Sequence, residues 1–194
     1  MGNLGSIQRM ISKIGGHSTF VSSEQHFRDI SKIILPGVGH FDEGMRSLNK
    51  SGLIQPLLNS VKSGMPLLGI CLGMQLLCRS SDEGIESGLG LIDADVKKFH
   101  FPKEKNLKVP HMGWNIVDAS RTNALLPSYQ RNLRFYFVHS YHVVLDSPQL
   151  EIGVSNYGYD FCAAFQKGQI FGVQFHPEKS HKFGMALMKR FWEL

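Results

Sequence analysis

The chain has 194 residues, of which 42% are hydrophobic and 19% are charged, and its formal net charge is +5 at pH 7. This composition fits one globular domain spanning residues 1–194, since the length supplies one sizeable core and does not require a second. No apolar run approaches the roughly 18 residues that a membrane-spanning helix needs, and the first residues lack the basic and apolar regions of a signal peptide.

The first part of the sequence alternates helical and strand-like segments, as α/β proteins do. The apolar spacing in SIQRMISKIG predicts a helix over residues 6–15 that ends at a Gly-Gly pair. Short strands are predicted at residues 19–21 and 32–35, with a polar helix between them. Residues 41–63 are predicted to be helical, with a break near Ser51.

A nucleophile turn is predicted at Cys71. An apolar strand over residues 65–70 leads into this cysteine, and a helix is predicted over residues 72–79. Gly69 and Gly73 frame the cysteine in the run GICLG, which is typical of a sharp turn that exposes a nucleophile between a strand and a helix. A lone cysteine in an apolar run is usually a core thiol. The glycine frame, together with a separate histidine and glutamate, favours the nucleophile instead.

The second half changes to short β-like segments, followed by a helix over residues 180–192. The segments are residues 89–99, 114–117, 133–138, 151–154, 161–165 and 169–174. Several lysines lie between residues 97 and 108. They form either a solvated loop or a docking surface, and no nucleic-acid motif accompanies them.

His176, Pro177 and Glu178 are interpreted as a base and its orienting carboxylate. Residues i and i+2 of an extended segment point to the same face, and Pro177 biases the residue before it towards extended geometry. A carboxylate beside an imidazole holds one ring N–H and leaves the other nitrogen for a thiol proton. Nucleophile, base and orienter are therefore all present.

Two backbone segments are candidates for stabilising an oxyanion. The N–H of Leu72 follows the nucleophile directly. Pro36-Gly37-Val38-Gly39 follows an apolar run, and its glycines let the backbone approach a ligand or flip a peptide.

These motifs together resemble those of the class I (triad) glutamine amidotransferases. More narrowly, they are similar to those of the glutaminase subunits of imidazole glycerol phosphate synthases, from histidine biosynthesis. The matching stretches are GNLGS, LPGVGHF, GICLGMQLL, GLGLIDADVKKF, VPHMGWN, FYFVHSY and IFGVQFHPEKS. The resemblance implies an α/β fold with an open, mostly parallel sheet, flanking helices and additional β-strands in the second half.

The resemblance also implies the reaction. Glutamine would be hydrolysed to glutamate and ammonia, with Cys71 attacking the side-chain amide, His176 protonating the leaving ammonia and Glu178 orienting His176. Covalent thiol chemistry needs no cofactor or metal, and none is expected. A reactive thiol favours a reducing compartment, so a cytoplasmic location is expected.

The remaining site residues follow from the same resemblance. The oxyanion and the glutamine would be held by Gly37, Val38, Gly39, Leu72, Gln75, His139, Ser140 and Tyr141. Ammonia would pass to a (β/α)8-barrel cyclase partner in a heterodimer. The interface candidates are Asn3, Trp114, Asn115, Tyr136 and Lys179. Neither a nucleic acid nor a membrane is an expected partner, and low activity is expected without the cyclase.

One part of the family pattern is missing from the sequence. Family members carry a first strand before the Gly-Asn-Leu segment, and this chain begins at that segment. Either the natural start lies upstream, or the chain is a truncated variant. Two alternative functions stay open: a paralogous glutaminase that feeds an amidotransferase for a surface-polysaccharide sugar, and a non-catalytic regulatory subunit.

Overall fold

A computed structural model describes residues 4–102, 104, 107–127 and 132–194 of the chain. Its helices are α1 (Leu4–Lys13), α2 (Phe41–Ser51), α3 (Ile54–Lys62), α4 (Leu72–Leu76) and α5 (His181–Trp192). Its strands are β1 (Ile33–Gly37), β2 (Leu67–Cys71), β3 (Ser80–Ser81), β4 (Ala94–Lys98), β5 (His111–Ala119), β6 (Leu133–His139), β7 (Tyr141–Leu145), β8 (Glu151–Asn156), β9 (Asp160–Lys167) and β10 (Ile170–Val173). Short 3₁₀ helices cover Glu24–Arg28, Pro148–Leu150 and Pro177–Lys179.

The strands form one curled sheet with flanking helices, which confirms the predicted α/β class. Its main path runs in the order β1-β2-β10-β9-β7-β4-β3, and β5, β6 and β8 extend it from the side. Strands β1, β2 and β10 pair in parallel, as do β3 and β4. The other pairings are antiparallel and belong to the second half of the chain, where additional strands were predicted.

The parallel part of the sheet positions the candidate site. Strand β2 is buried along its whole length and has a parallel neighbour on each side. Gly37 on β1 lies opposite Cys71, and Val173 near the end of β10 lies opposite Ile70. Because carboxyl ends of parallel strands meet at one edge of a sheet, the segments after these strands converge around Cys71.

Two apolar layers enclose the sheet. On α1 and α5, buried apolar side chains recur at helical spacing and join one core cluster with β2 and β10: Ile7, Met10, Ile11, Leu187, Met188 and Phe191. Helix α2 packs on α4 through a smaller cluster of Phe41, Met45, Leu72 and Leu76. Among the described residues, no helix has both the length and the apolar character to cross a membrane.

Strand β1 ends the sheet path and borders an apolar groove of about 630 Å³. Residues of α1, α3 and α5 line the groove, among them Ile7, Ile11, Leu57 and Trp192. Cys71 and His176 are not part of its lining.

Several elements differ from those predicted, and the two-residue strand β3 was not among the predicted strands. The predicted strand over residues 19–21 is absent, and Phe20 is 52% exposed there. The helix predicted over residues 72–79 ends at Leu76, because the chain turns to join β4 and the N–H of Arg79 donates to the carbonyl of Ala94. Strand β7 was missed: its pairing with β4 and β9 comes from distant parts of the chain.

Candidate active site

Cys71 occupies a strained turn between β2 and α4. Its backbone has φ 54° and ψ −113°, in a region that side-chain-bearing residues seldom adopt. A Cβ on Gly73 would overlap the carbonyl oxygen of Leu35, and one on Gly69 would lie 2.8 Å from the carbonyl oxygen of Gly73. The glycine frame is therefore required by close backbone packing.

His176 and Glu178 form a buried pair just beyond β10. His176 is extended (φ −101°, ψ 98°), but Pro177–Lys179 forms a 3₁₀ turn rather than continued strand. The Nδ1 of His176 lies 2.8 Å from Oε1 of Glu178, and the two side chains are 2% and 4% exposed. The proximity expected from strand alternation is thus produced by a tight turn.

Strand β6 fixes the segment that carries this pair. The backbone N–H of His176 donates to the carbonyl of Tyr136 at 2.9 Å. The Ser180 hydroxyl donates to the His176 carbonyl at 2.6 Å and accepts from the N–H of Tyr136 at 3.0 Å. Because these polar groups are satisfied within the protein, the imidazole has a defined location relative to the sheet.

The electrostatics of the site favour a protonated His176. Burial disfavours the imidazolium, but the proximity and negative charge of Cys71 and Glu178 outweigh it, so the pKa of His176 is raised to about 9. Within the described part of the chain, no partner meets hydrogen-bond geometry at Nε2 of His176 or at Oε2 of Glu178. Nε2 is therefore the ring nitrogen left for a reacting group.

The predicted oxyanion segment lies beside the cysteine turn. A Cβ on Gly37 would lie 2.9 Å from Cβ of Leu72 and 3.0 Å from the backbone nitrogen of Gly73. Gly39 has φ +102° and open space around its Cα, and Val38 is 44% exposed. The structure therefore brings Gly37 and Leu72 together next to Cys71, while Val38 and Gly39 lead towards the surface.

Gln75 is buried and uses its amide inside the protein. Its Nε2 donates to the carbonyl of Tyr141 at 3.2 Å and to Oε1 of Gln174 at 3.0 Å. Nε2 of Gln174 in turn lies 3.8 Å from Sγ of Cys71. Sequence analysis overlooked Gln174, although its position two residues before His176 could have indicated it.

His139 belongs to a second buried polar group. Its Nδ1 lies 2.7 Å from the carbonyl oxygen of Tyr141, and its Nε2 lies 3.0 Å from Nδ1 of His111, another residue that sequence analysis missed. Burial lowers the pKa of His139 to about 3 and that of His111 to about 4. The carbonyl of Ser140, between β6 and β7, accepts from the N–H of Phe99 at 3.0 Å.

The described interface candidates cluster on β5, β6 and the turn after His176. Trp114 is 40% exposed, stacks on His181 with ring centroids 5.4 Å apart and lies opposite Tyr136. The Lys179 ammonium lies 5.5 Å from the Tyr136 ring centroid. Asn115 neighbours Trp114 on β5 and its Nδ2 lies 3.2 Å from Nε2 of His111, whereas Asn3 is outside the described residues.

Among the described residues, no group of three or more His, Cys, Asp or Glu side chains is placed so that it could hold a metal ion. The cysteines at 78 and 162 are buried, and burial raises the pKa of both thiols.

Comparison with known families matches residues 2–194 to the model described as glutamine amidotransferase class-I. The chain is 49% identical to the imidazole glycerol phosphate synthase subunit HisH 2 of Methanococcus maripaludis, over 98% of this chain and 94% of the relative. It is 45% identical to the subunit HisH 2 of Pseudomonas aeruginosa, over 100% and 96%.

Solved structures share the fold at lower sequence identity. A crystal structure of a glutamine amidotransferase superimposes with a TM-score of 0.71 at 19% identity, covering 99% of this chain and 93% of that one. The structure of PurLQS from Thermotoga maritima gives 0.75 at 15% identity, covering 97% and 91%. These similarities support the fold alone.

Proposed function

The chain belongs to the class I glutamine amidotransferase family, and we propose that it is the glutaminase subunit of an imidazole glycerol phosphate synthase in histidine biosynthesis. We treat residues 1–194 as one amidotransferase domain. The observation that carries the proposal is the strained Cys71 turn beside the buried His176–Glu178 pair. The relatives named above, at 49% and 45% identity, support the choice of synthase.

The first half of the reaction forms a thioester. The Cys71 thiolate attacks the side-chain amide carbon of glutamine, a C–S bond forms and the carbonyl oxygen becomes an oxyanion. Nε2 of the His176 imidazolium donates its proton to the amide nitrogen, the C–N bond breaks and ammonia leaves. Glu178 accepts a hydrogen bond from Nδ1 and stabilises the imidazolium during this step.

The second half regenerates the Cys71 thiolate. Water attacks the thioester carbonyl, and neutral His176 takes the proton from that water. The C–S bond breaks, glutamate leaves and the sulfur recovers its starting charge beside a protonated imidazole. The backbone N–H of Leu72 and the Gly37–Gly39 segment are the proposed oxyanion donors, because they border the cysteine turn.

The ammonia acceptor is proposed to bind to a (β/α)8-barrel cyclase partner. Trp114, Tyr136 and Lys179 form the proposed docking face, together with Asn115 and Asn3. An exposed aromatic cluster supports this assignment, since aromatic rings supply most of the anchoring contacts at protein interfaces.

The experiment is to co-express the chain with its cyclase and to measure glutamate release from glutamine, with and without the imidazole precursor. Cys71→Ala tests the nucleophile, and Cys78→Ala is the matched control because that thiol lies in the core. We expect activity that needs the cyclase, rises with the precursor and is lost only in Cys71→Ala. Activity indifferent to the precursor would indicate another acceptor, such as a polysaccharide sugar. Absence of activity in every combination would favour a non-catalytic subunit.

A further inference from the structure

A buried hydrogen-bond chain of two glutamine side chains reaches the Cys71 sulfur. Sγ of Cys71 is contacted by Nε2 of Gln174 at 3.8 Å, Oε1 of Gln174 accepts from Gln75 at 3.0 Å, and Gln75 also donates to the Tyr141 carbonyl at 3.2 Å. Gln174 is fully buried, and Gln75 is 4% exposed. Two amides at this depth need defined partners, because an unpaired buried polar group is costly.

The direction of each hydrogen bond follows from the acceptors. The Tyr141 carbonyl can only accept, so the nitrogen of the Gln75 amide must face it. The same nitrogen then donates to the oxygen of Gln174, which leaves the Gln174 nitrogen facing the sulfur. Gln174 thus presents an N–H donor to Cys71, and such a donor favours negative charge on sulfur.

The far end of the chain is fixed in the same way. The Tyr141 carbonyl also accepts from Nδ1–H of His139, so the other nitrogen of this neutral ring accepts from Nδ1–H of His111. Nε2 of His111 then accepts from Nδ2 of Asn115 at 3.2 Å. Each polar atom in this series has one consistent role, and two donors hold the Tyr141 carbonyl in place.

We propose that Gln174 is a positioning residue for the proposed glutaminase reaction: its amide holds the Cys71 sulfur in the attacking orientation, and Gln75 with the Tyr141 carbonyl holds that amide. In the described part of the chain the sulfur has two further polar neighbours: the Val138 carbonyl at 4.0 Å, and the His176 imidazole, whose pKa Cys71 helps to raise. A carbonyl oxygen accepts from a thiol but repels a thiolate. Gln174 therefore supplies a fixed neutral donor to the charged sulfur, in addition to the His176 imidazolium.

A purely structural role for Gln174 would produce a different pattern. Loss of a structural hydrogen bond lowers stability without a selective effect on the reaction rate, whereas loss of the sulfur's donor lowers kcat and leaves KM nearly unchanged. It also slows alkylation of Cys71 by iodoacetamide, a reaction that requires neither glutamine nor the cyclase.

The test compares Gln174→Met with Gln166→Met, a matched change on β9 at a side chain that bonds only locally to the Gly168 carbonyl. For Gln174→Met we expect kcat of the cyclase complex and the Cys71 alkylation rate to fall roughly 10- to 100-fold, with KM within about twofold of the unmodified chain. Gln166→Met should change none of these. A folded Gln174→Met protein with unchanged kcat and alkylation rate would overturn the proposal.

Gln174→Glu keeps the test decisive if the methionine variant does not fold. It preserves the shape and the oxygen that Gln75 needs, but a carboxylate cannot donate to Cys71. We expect a loss of kcat that grows as the pH rises and the buried acid ionises, because the protonated acid can still donate to Cys71. Wild-type rates throughout the pH range would refute the assignment. These tests distinguish the positioning role from the proposed function on which it rests. An active Cys71→Ala protein would contradict the assignment of Cys71 as the nucleophile. If Cys71→Ala is inactive but the Gln174 variants are fully active, only the positioning role is contradicted.

Discussion

The buried His139 makes a quantitative prediction about stability in mild acid. Burial lowers its pKa from 6.5 to about 3. A group with a depressed pKa contributes stability that is complete above its unfolded pKa and is lost as the pH falls towards the folded value. Each pH unit below 6.5 therefore lowers the contribution of His139 to the free energy of unfolding by about 1.4 kcal/mol, which amounts to about 2 kcal/mol at pH 5.

Other histidines do not cancel this dependence. His111 acts in the same direction, since burial lowers its pKa to about 4. His176 acts in the opposite direction, but its stabilisation is complete below pH 6.5 and is lost only as the pH rises towards about 9. The free energy of unfolding should therefore decrease steeply as the pH is lowered from about 6.5 to about 5.

The assay is urea unfolding at a series of pH values, followed by tryptophan fluorescence. His139→Gln can donate to the Tyr141 carbonyl and accept from His111 but cannot titrate. It should flatten the pH dependence by about 1.4 kcal/mol per pH unit. His17→Gln is the control, because His17 lies on the surface. An unchanged slope in His139→Gln would refute the assignment of a neutral buried histidine.

Three further predictions concern the catalytic turn, the base and the partner. Gly73→Ala should prevent stable folding, because its Cβ would overlap the Leu35 carbonyl oxygen, whereas the control Gly5→Ala should fold. Thermal unfolding compares the two variants, and equal melting temperatures would contradict the close packing of Gly73 on Leu35. Glu178→Gln should lower kcat roughly 100-fold. It should also move the alkaline limb of the pH–kcat profile to lower pH, because Glu178 helps to raise the pKa of His176. An unmoved limb would argue against the pairing of His176 with Glu178. Trp114→Ala should weaken cyclase binding at least about tenfold in calorimetry while the chain stays folded, and unchanged affinity would exclude that face.

Local signals in the sequence were sufficient for the central turn and its base. The glycines around Cys71 permit its sharp turn, and the proline after His176 favours extended backbone at His176, so both features could be read from the sequence, although the 3₁₀ turn at Pro177–Lys179 could not. The same holds for α1 and α5, whose buried residues recur at helical spacing.

Contacts between residues far apart in the sequence could not be predicted from local patterns. Gln174 meets Cys71 across 103 positions of sequence, and His111 meets His139 across 28. Strand β7 forms because β4 and β9 border it, not because of its own pattern. A residue whose role depends on which strand lies beside it is recognised only once the sheet order is known.

The most direct test of the central claim is to treat the chain, in complex with its cyclase, with a glutamine-mimicking electrophile and to locate the adduct by peptide mass spectrometry. The account predicts one adduct, on Cys71, that excess glutamine prevents. An adduct on Cys78 or Cys162, or no adduct on Cys71 in the active complex, would contradict it.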